Sequence, residues 1–432
     1  MDILLKKSTR QKFEIVNLIR HKGPISRLAL SEAFGIALPT VSALVKDLQA
    51  AGLVTSQGFK KSTGGRPPEL LTISGDYGVV IGAEVSYGRI ASGLVDTSGK
   101  VVAERVGGET VALDANAALA ALEESVNSVL SNLAGRKLLG AGIGVSGIIA
   151  DGNRVSRQFP GSKEWTSMPL ADWFERRFGA RPTLMNDVSA AALGEARSGA
   201  WGGEPDMLYL HVGRGIAAGV ILKGQVYRGT TGNAGEVGHF VVRTDGPICY
   251  CGNRGCLESV ASPDAIVSQC REAIHRGSLS LVAQRVGRDL NALSIKDIFD
   301  AAREGDRLST TLLEEAGSHI GRTAAHIVNL LNPSVLVLGG ILAGERSPFV
   351  ESIERVFRAT VLPALRDATR LGVSQLMERA CVVGAAEEVL DEFFGSPERL
   401  FGTEAQGEGG NSKQIQNPKT GNGRIEESDV AL

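Results

Sequence analysis

Apolar and polar residues alternate with helical spacing in three short stretches near the start of the chain. The first stretch ends at a Gly-Pro pair. The second begins after Ser26, a suitable helix N-cap, and ends at Gly35, where a tight turn needs a positive φ. Leu28, Leu30 and Phe34 are expected to supply its apolar contacts. The third has Pro39 in its first turn. The pattern predicts three helices with the spacing of a helix-turn-helix.

The stretch LVTSQGFKKSTGGRPPELLTIS follows the third helix and indicates two short strands around a basic, glycine-rich tip. Three helices and such a hairpin are typical of a winged helix-turn-helix domain, which we place at residues 1–73. Thr40, Ser42 and Lys46 lie off the apolar face of the third helix and are the candidate contacts in the major groove of DNA. Arg66 in the tip is the candidate for the minor groove. The alternative is a small helical packing domain whose charges are only solvated.

Two later stretches share one plan of strand, glycine-bearing turn, strand, turn and strand. They read YGVVIGAEVSYGRIASGLVDTSGKVVAERV from Tyr77 and DMLYLHVGRGIAAGVILKGQVYRG from Asp206. Further helical and strand patterns follow each of them. The repetition predicts two related α/β lobes that face each other across a cleft.

Composition and charge narrow the class of protein. In 432 residues, 43% hydrophobic content supports sizeable cores, which excludes disorder as the dominant state. No apolar stretch approaches the roughly 20 residues of a membrane span, and we expect a cytoplasmic protein without a membrane partner. Of the 46 basic and 48 acidic side chains, residues 1–73 hold 11 and 5, so an anionic partner is expected for the first domain alone. Residues 402–432 predict a disordered tail.

Three of the five cysteines lie close together, downstream of a histidine. The cluster consists of His239, Cys249, Cys251 and Cys256. One imidazole and three sulfurs suit tetrahedral Zn²⁺, and glycines between the last two cysteines let the thiolates converge. Four protein ligands leave no open position, so the predicted ion is structural. The alternative is a set of buried cysteines without a metal. Cys270 and Cys381 fall outside the spacing and are expected to be ordinary buried thiols.

The chain resembles the ROK family of bacterial sugar kinases and sugar-responsive repressors. Four stretches carry the resemblance over about residues 78–390: NDVSAAALGEA, GNAGEVGH, CYCGNRGCLES and NLLNPSVLVLGG. The N-terminal winged helix with STGGRPP matches the repressor branch. The resemblance implies an α/β, two-lobed, actin-like (ribonuclease-H-like) ATPase fold. Residues 78–190 would form the first lobe and residues 191–374 the second, which holds the zinc loop. A strand running into an amphipathic helix, at about 375–395, is expected to pack back on the first lobe.

The resemblance also implies the residues of a sugar site. They are Asn186, Asp187, Glu236, His239 and Glu258. In the family the glutamates and the histidine contact the sugar, and the matching aspartate is the general base for the hydroxyl that attacks the γ-phosphate. A histidine can serve metal and sugar together, because its two ring nitrogens are distinct. Without the resemblance, the glutamates are surface carboxylates and Asp187 is a helix N-cap. Gln158 replaces a family asparagine that touches sugar, which leaves the identity of the ligand open.

The two turns expected to bind phosphate depart from the family kinases. Those kinases have Asp-x-Gly-Gly-Thr where this chain has EVSYG from Glu84, which places the ring of Tyr87 where backbone should meet phosphate. In the second turn GTGIGGG becomes GRGIAAG, with Arg214, Ala217 and Ala218 as the replacements. Glycine turns allow backbone N–H groups to approach phosphate, so we do not expect ATP and Mg²⁺ as cofactors.

Together these features predict a transcriptional regulator, acting as a repressor, that binds operator DNA and senses a sugar, sugar derivative or sugar phosphate in the cleft. Paired winged helices bind palindromic operators, so a homodimer or a dimer of dimers is expected. The alternative is an ATP-dependent sugar kinase that also binds DNA, with Asp187 as general base and Arg214 on the phosphate.

Overall fold

The structure of the protein is a computed structural model. It describes residues 6–59, 68–106, 115–150, 152, 154–159, 164–287, 289–341 and 347–402. Within these residues a small helical domain precedes two five-stranded sheets, each covered by helices. The tail predicted over residues 402–432 lies outside them, apart from Gly402.

A three-helix domain with a short sheet comes first. Its elements are α1 (Lys7–Lys22), β1 (Ile25–Ser26), α2 (Arg27–Phe34), α3 (Leu38–Ala50), β2 (Val54–Phe59) and β3 (Glu69–Ile73). Two predicted signals are confirmed: Ser26 accepts a hydrogen bond from the backbone N–H of Ala29 at 3.2 Å, and Gly35 has a φ of 62°. Leu30 is fully buried and Phe34 packs against the same core, whereas Leu28 is 54% exposed and does not belong to that core. A helix this short turns a single face to the core.

The next elements build the first lobe. They are β4 (Val79–Ser86), β5 (Arg89–Asp96), β6 (Val101–Val106), α4 (Ala115–Leu130), β7 (Leu138–Val145), β8 (Ile148–Ala150), β9 (Val155–Gln158), β10 (Thr166–Met168), α5 (Leu170–Phe178) and β11 (Pro182–Asn186). The sheet order is β11-β7-β4-β5-β6, antiparallel from β4 to β6 and parallel from β4 to β11. Strands β8 to β10 form a small separate sheet. Apolar side chains of the large sheet pack against α4 and α5.

The second lobe repeats this plan. Its elements are α6 (Asp187–Ser198), β12 (Met207–Val212), β13 (Ile216–Leu222), β14 (Gln225–Val226), α7 (Leu257–Ala261), α8 (Pro263–His275), α9 (Leu281–Arg285), α10 (Ile295–Arg303), α11 (Arg307–Leu331), β15 (Val335–Gly340), α12 (Pro348–Thr360), α13 (Pro363–Ala368) and β16 (Arg370–Val373). The order β14-β13-β12-β15-β16 combines an antiparallel meander with parallel strands, as in the first sheet. The predicted duplication of the two lobes is confirmed.

The chain then returns to the first lobe through α14 (Ala380–Phe394), followed by α15 (Pro397–Phe401). The strand expected before this helix is wrong, because the helix begins at Ala380 and includes Val382 and Val383. These β-branched residues favour a strand locally. The close contact of the helix with the first sheet overrides that preference: a Cβ at Gly82 would lie 2.0 Å from the carbonyl oxygen of Val382.

Two helices lie between the sheets. Helix α6 packs on β13 of the second sheet, whereas α14 packs on β4 and β7 of the first. Cys381 is buried in this interlobe core and Cys270 in the core of the second lobe, so both are buried thiols as expected.

Among the described residues, none of the helices alone has the length and apolar character to cross a membrane. Helices α2 and α3 pass that test as a pair, by length and composition, but they are bent by 117° at the break between them.

Candidate functional site

Four candidate metal ligands converge on a loop of the second lobe. His239 ends a 3-10 helix, and Cys256 directly precedes α7. A backbone bridge from Val241 to Cys256 folds the loop back on itself. The four ligand atoms all lie within 4.8 Å of one another, and they belong to His239, Cys249, Cys251 and Cys256. The sequence spacing therefore predicted the cluster correctly.

Two of the distances between these atoms match the edges of a tetrahedral zinc site. Nδ1 of His239 lies 3.6 Å from Sγ of Cys249, and the Sγ atoms of Cys251 and Cys256 are 3.7 Å apart. Zinc bonds of about 2.3 Å to sulfur and about 2.0 Å to nitrogen imply tetrahedral edges of roughly 3.5 to 3.8 Å. Gly255, with a φ of 71°, allows the fold of the loop, because a Cβ there would collide with the carbonyl oxygen of Arg243 at 1.5 Å.

The other ring nitrogen of His239 points away from the sulfurs. Nε2 lies 3.1 Å from the hydroxyl of Tyr250 and 3.9 Å from Oε2 of Glu236. The rings of His239 and Tyr250 meet edge to face at 5.2 Å. The two nitrogens thus have different partners, which is the arrangement that a shared metal and ligand role requires.

Two carboxylates lie beside the cysteine loop. Oε2 of Glu258, on α7, accepts a hydrogen bond from the backbone N–H of Ile216 at 3.0 Å. Burial raises the pKa of Glu258, and this hydrogen bond opposes the rise. Burial also raises the pKa of Glu236, with His239 opposing and the charges of Asp187 and Glu258 adding to the rise. The charges of Asp187 and Glu258 therefore both act on the carboxylate of Glu236.

Asn186 and Asp187 lie where β11 runs into α6. Asn186 is the N-cap of α6, since its Oδ1 accepts hydrogen bonds from two backbone N–H groups at 3.0 and 3.1 Å. Asp187 is the first helical residue, and its Oδ2 accepts a hydrogen bond from the hydroxyl of Ser146. The N-cap interpretation of Asp187 is therefore wrong by one residue. Capping occupies the amide oxygen of Asn186, so its NH2 group, 3.5 Å from the carbonyl oxygen of Gly147, is the part that can serve a ligand.

The two turns predicted to bind phosphate touch each other. The guanidinium carbon of Arg214, between β12 and β13, lies 4.5 Å from the centroid of the Tyr87 ring, between β4 and β5. Nε of Arg214 would lie 3.5 Å from a Cβ at Gly88. The turns belong to different lobes, so this cation–π contact joins the lobes at the phosphate end of the cleft.

The acidic residue of the first turn is engaged as well. Oε1 of Glu84 accepts a hydrogen bond from the hydroxyl of Ser86 at 2.7 Å, and Oε2 pairs with Nε of Arg89 at 3.1 Å. Arg89 also pairs with Glu378 at 2.8 Å. Burial raises the pKa of Glu84, Ser86 and Arg89 lower it, and the charge of Asp187 adds to the rise. Both carboxylate oxygens thus have partners within the protein.

Sequence reasoning missed several residues of this cleft, namely Arg89, Ser146, His211 and Tyr250. A signal existed for two of them: Arg89 directly opposes Ser86 across the β4–β5 hairpin, and Tyr250 lies between two candidate ligands. Burial lowers the pKa of His211 in β12, and the charge of Asp187 opposes this, so His211 lies near that carboxylate. Ser146 and His211 gave no signal, because their roles depend on how strands distant in sequence come together.

The candidate DNA contacts lie on one side of α3. Thr40 and Lys46 are exposed and Ser42 is half-buried, whereas the opposite side of the helix is buried in the core of the domain. Arg66 lies outside the described residues, and Gln158 is the last residue of β9.

Comparison with known proteins assigns the class. The profile of the ROK family matches residues 78–392, and a profile of winged helix-turn-helix DNA-binding domains matches residues 9–55. The chain belongs to the ROK family. The predicted fold class, a two-lobed actin-like fold preceded by a winged helix-turn-helix domain, is confirmed.

Relatives that extend over the winged helix are transcriptional regulators. The xylose repressor of Caldicellulosiruptor bescii is 31% identical over 393 residues, which are 90% of this chain and 97% of that protein. A solved ROK family transcriptional regulator, a homologue of the E. coli MLC protein, has a TM-score of 0.75 and 25% identity, with 93% of this chain and 99% of that chain covered. The glucokinase of Thermotoga maritima is 31% identical over 316 residues, 73% of this chain and 98% of that protein.

Proposed function

We propose that this chain is a transcriptional repressor whose binding to operator DNA responds to a sugar held between the lobes. One observation carries the proposal: Glu236, His239 and Glu258 lie together beside the cysteine loop, while the two turns that bind phosphate in the family kinases are joined through Tyr87 and Arg214. The winged helix and the repressor relatives supply the link to DNA.

In this proposal the sugar contacts are Asn186, Asp187, Glu236, His239 and Glu258. The carboxylates accept hydrogen bonds from sugar hydroxyls, whereas the NH2 group of Asn186 and Nε2 of His239 donate them. Such a mixture of acceptors and donors matches a ring with several hydroxyl groups. The effector is accordingly a sugar, a sugar derivative or a sugar phosphate.

The cluster of His239, Cys249, Cys251 and Cys256 would hold a structural zinc ion. The ion would supply a rigid cross-link and no chemistry on the effector. His239 keeps Nε2 toward the effector because Nδ1 points at the sulfurs. Glu258 follows Cys256 by two residues, so a fixed Cys256 also orients the first turn of α7 and its carboxylate.

The contacts at the phosphate end argue against nucleotide as a cofactor. A triphosphate would have to separate Arg214 from Tyr87, which are in cation–π contact. Magnesium would have to compete with Arg89 for Glu84. Ala217 and Ala218 in addition carry side chains where the family kinases have glycine, so the approach of phosphate to backbone N–H groups is hindered.

DNA recognition would use α3 in the major groove, with Thr40 and Ser42 toward base edges, Lys46 on phosphate and Arg66 in the minor groove. A homodimer, or a dimer of dimers, presents two such helices to two half-sites at a fixed spacing. Lobe closure around the sugar changes that spacing. A difference of a few kcal/mol in sugar affinity between the two states is sufficient for the response.

The experiment is footprinting of the full chain on DNA upstream of its own gene, with xylose, glucose and N-acetylglucosamine added one at a time. We expect a palindromic footprint and a shift of at least about tenfold in DNA Kd with one of these sugars. The matched variant Lys46→Ala should weaken the footprint about tenfold and leave sugar affinity unchanged. A protein without a specific site, or with a site that no sugar affects, contradicts the proposal.

A second function, ATP-dependent sugar phosphorylation, is favoured by the position of Asp187 in the cleft and by the glucokinase relative. Incubation with ATP, Mg²⁺ and the same sugars tests it. Turnover of about 1 s⁻¹ or more, abolished by Asp187→Asn, would establish this function in place of the sensor.

A further inference from the structure

Helix α14 joins the DNA-binding domain to the body of the protein. One apolar core contains Ile15, Val16 and Ile19 of α1 together with Leu390 and Phe394 of α14. All five side chains are almost completely buried. The winged helix is therefore seated on α14, and its orientation depends on that helix.

A group of polar and charged side chains lies beside this core, and we call it the junction. It consists of Arg20, Arg197, Ser198, Glu387 and Asp391. Arg20 belongs to α1, the next two to the last turn of α6, and the two carboxylates to α14. The side chains of Arg20 and Glu387 are 11% and 6% exposed, so their charges depend on protein partners more than on water.

Each carboxylate of the junction is shared between the DNA-binding domain and α6. Oε2 of Glu387 lies 3.1 Å from Nη2 of Arg20, while its Oε1 accepts a hydrogen bond from Ser198 at 2.9 Å. Oδ1 of Asp391 lies 2.5 Å from the same Nη2 of Arg20, while its Oδ2 lies 2.9 Å from Nη2 of Arg197. A shift of α6 against α14 therefore changes the partners that these carboxylates offer to Arg20.

The opposite end of α6 lies at the candidate sugar site. Asn186 is its N-cap, Asp187 its first residue and Ser198 its last. An α-helix of 12 residues spans about 18 Å. Because a helix of this length moves as a rigid rod, a displacement at Asp187 reaches Ser198.

A close backbone contact between α6 and α14 lies between these two ends. A Cβ at Gly194 would lie 2.4 Å from the carbonyl oxygen of Ala380, and a Cβ at Gly384 would lie 1.7 Å from that of Ala190. Glycine at both positions lets the backbones touch. Since α6 packs on the second sheet and α14 on the first, a change in lobe closure shifts the two helices about this contact. The sugar site lies on one side of the contact and the junction on the other.

We propose that the junction couples the sugar site to the DNA-binding domain, with Arg20, Ser198 and Glu387 as positioning residues. This inference rests on the proposed function. When the lobes close on a sugar, the last turn of α6 moves relative to α14. The carboxylates of Glu387 and Asp391 then change the strength of their contacts with α6 and with Arg20. A buried ion pair loses much of its stability when one partner is withdrawn. A small shift of α6 therefore changes how the winged helix packs on α14.

Two variants separate coupling from simple support. Glu387→Gln keeps the shape of the side chain and removes its charge. Ser198→Ala removes the hydrogen bond from α6 to Glu387 and leaves every residue of the winged helix unchanged. Glu123→Gln is the matched control, because Glu123 pairs with Arg177 at 2.6 Å between α4 and α5. The full chain is used, with a duplex that the wild-type protein selects from a random library, and with xylose, glucose and N-acetylglucosamine as probes.

The measured quantity is the coupling ratio, the DNA Kd with sugar divided by the DNA Kd without it. Linkage requires the same ratio in sugar affinity with and without DNA, which provides an internal check. We expect the coupling ratio to come closer to 1 than in the wild type, by a factor of at least about five in Glu387→Gln and about three in Ser198→Ala. The sugar Kd measured without DNA should stay within about twofold of wild type. The control keeps the wild-type ratio.

A ratio within twofold of wild type in both variants overturns the inference. So does weaker DNA binding with an unchanged ratio, which would assign simple support to the junction. If Glu387→Gln does not fold, Ser198→Ala carries the test alone. If wild-type DNA binding responds to none of the probes, the proposed function fails, and this inference fails with it.

Discussion

The acidic residues proposed to bind sugar and the acidic residue of the first predicted phosphate turn have different partners. At the sugar end, Asp187 contacts a hydroxyl and Glu258 a backbone N–H group. At the phosphate end, Glu84 is paired with the guanidinium of Arg89. A sugar hydroxyl can replace a neutral donor at little cost in free energy, whereas a ligand that replaces a partly buried ion pair leaves a charge unpaired. New partners within the protein can thus weaken the binding of a ligand even where the acidic residue is kept.

The largest effect should come from removing a candidate metal ligand beside the proposed sugar site. Cys256→Ser replaces one of the three sulfurs, so we expect zinc, measured by elemental analysis, to fall from about one ion per chain to below about 0.2. Sugar affinity should fall at least about 100-fold, because Glu258 and His239 lose their fixed positions. Cys270→Ser, at a buried thiol outside the cluster, is the control and should keep its zinc. A wild-type protein without zinc, or a variant that retains it, would contradict this prediction.

A smaller effect is expected from a single sugar contact. Glu258→Gln removes the charge that strengthens hydrogen bonds to sugar hydroxyls, and such bonds contribute about 1.5–3 kcal/mol. Calorimetry with the sugar that shifts the footprint should therefore show a loss of about 10- to 100-fold in affinity. Glu272→Gln, at an exposed ion pair on α8, serves as control. Unchanged affinity in Glu258→Gln would remove Glu258 from the sugar site.

A comparable change at the phosphate end should have little effect on sugar affinity. Tyr87→Ala removes the contact with Arg214, and a cation–π contact is worth about 0.5–1 kcal/mol at an exposed site. Sugar affinity, measured by the same calorimetry, should change by less than about fivefold. Binding of Mg·ATP should stay weak in this variant, because Glu84 remains paired with Arg89. Tight uptake of Mg·ATP by the wild-type protein would erase the contrast between the two ends.

The smallest effect concerns pH. Burial raises the pKa of Glu84 above its ordinary value of 4.5. A carboxyl with a higher pKa in the folded chain holds its proton more tightly when folded, so its contribution to stability is full below the unfolded pKa and is lost as pH rises through the folded pKa. Urea unfolding at several pH values should show that Glu84→Gln loses less stability than wild type as pH rises from about 4 to about 7. The opposite ordering would mean that the ion pair with Arg89 outweighs burial.

Features set by local spacing could be predicted from the sequence. Ser26 and Gly35 mark the two ends of α2 through their own hydrogen bond and backbone conformation. The repeated strand plan predicted two equivalent lobes, and the spacing of three cysteines and a histidine predicted a cluster whose ligand atoms do come together.

Features that depend on contacts between distant segments could not be predicted. The stacking of Arg214 on Tyr87 joins two turns whose separation in space the sequence does not contain. The helical state of Val382 follows from glycines in two strands far earlier in the chain. The N-cap of α6 is Asn186 and not Asp187, although both side chains suit that role. The carboxylate of Asp187 instead accepts a hydrogen bond from Ser146, a contact between distant segments.

The seat of the winged helix on α14 also has a consequence for biosynthesis. Arg20 of α1 donates a hydrogen bond to the carbonyl oxygen of Leu390, which is translated 370 residues later. Until then the buried face of α1 lacks the apolar side chains that complete its core. A nascent chain interrupted before α14 therefore has an incomplete core in its winged helix domain. That domain can complete its folding only together with the two lobes.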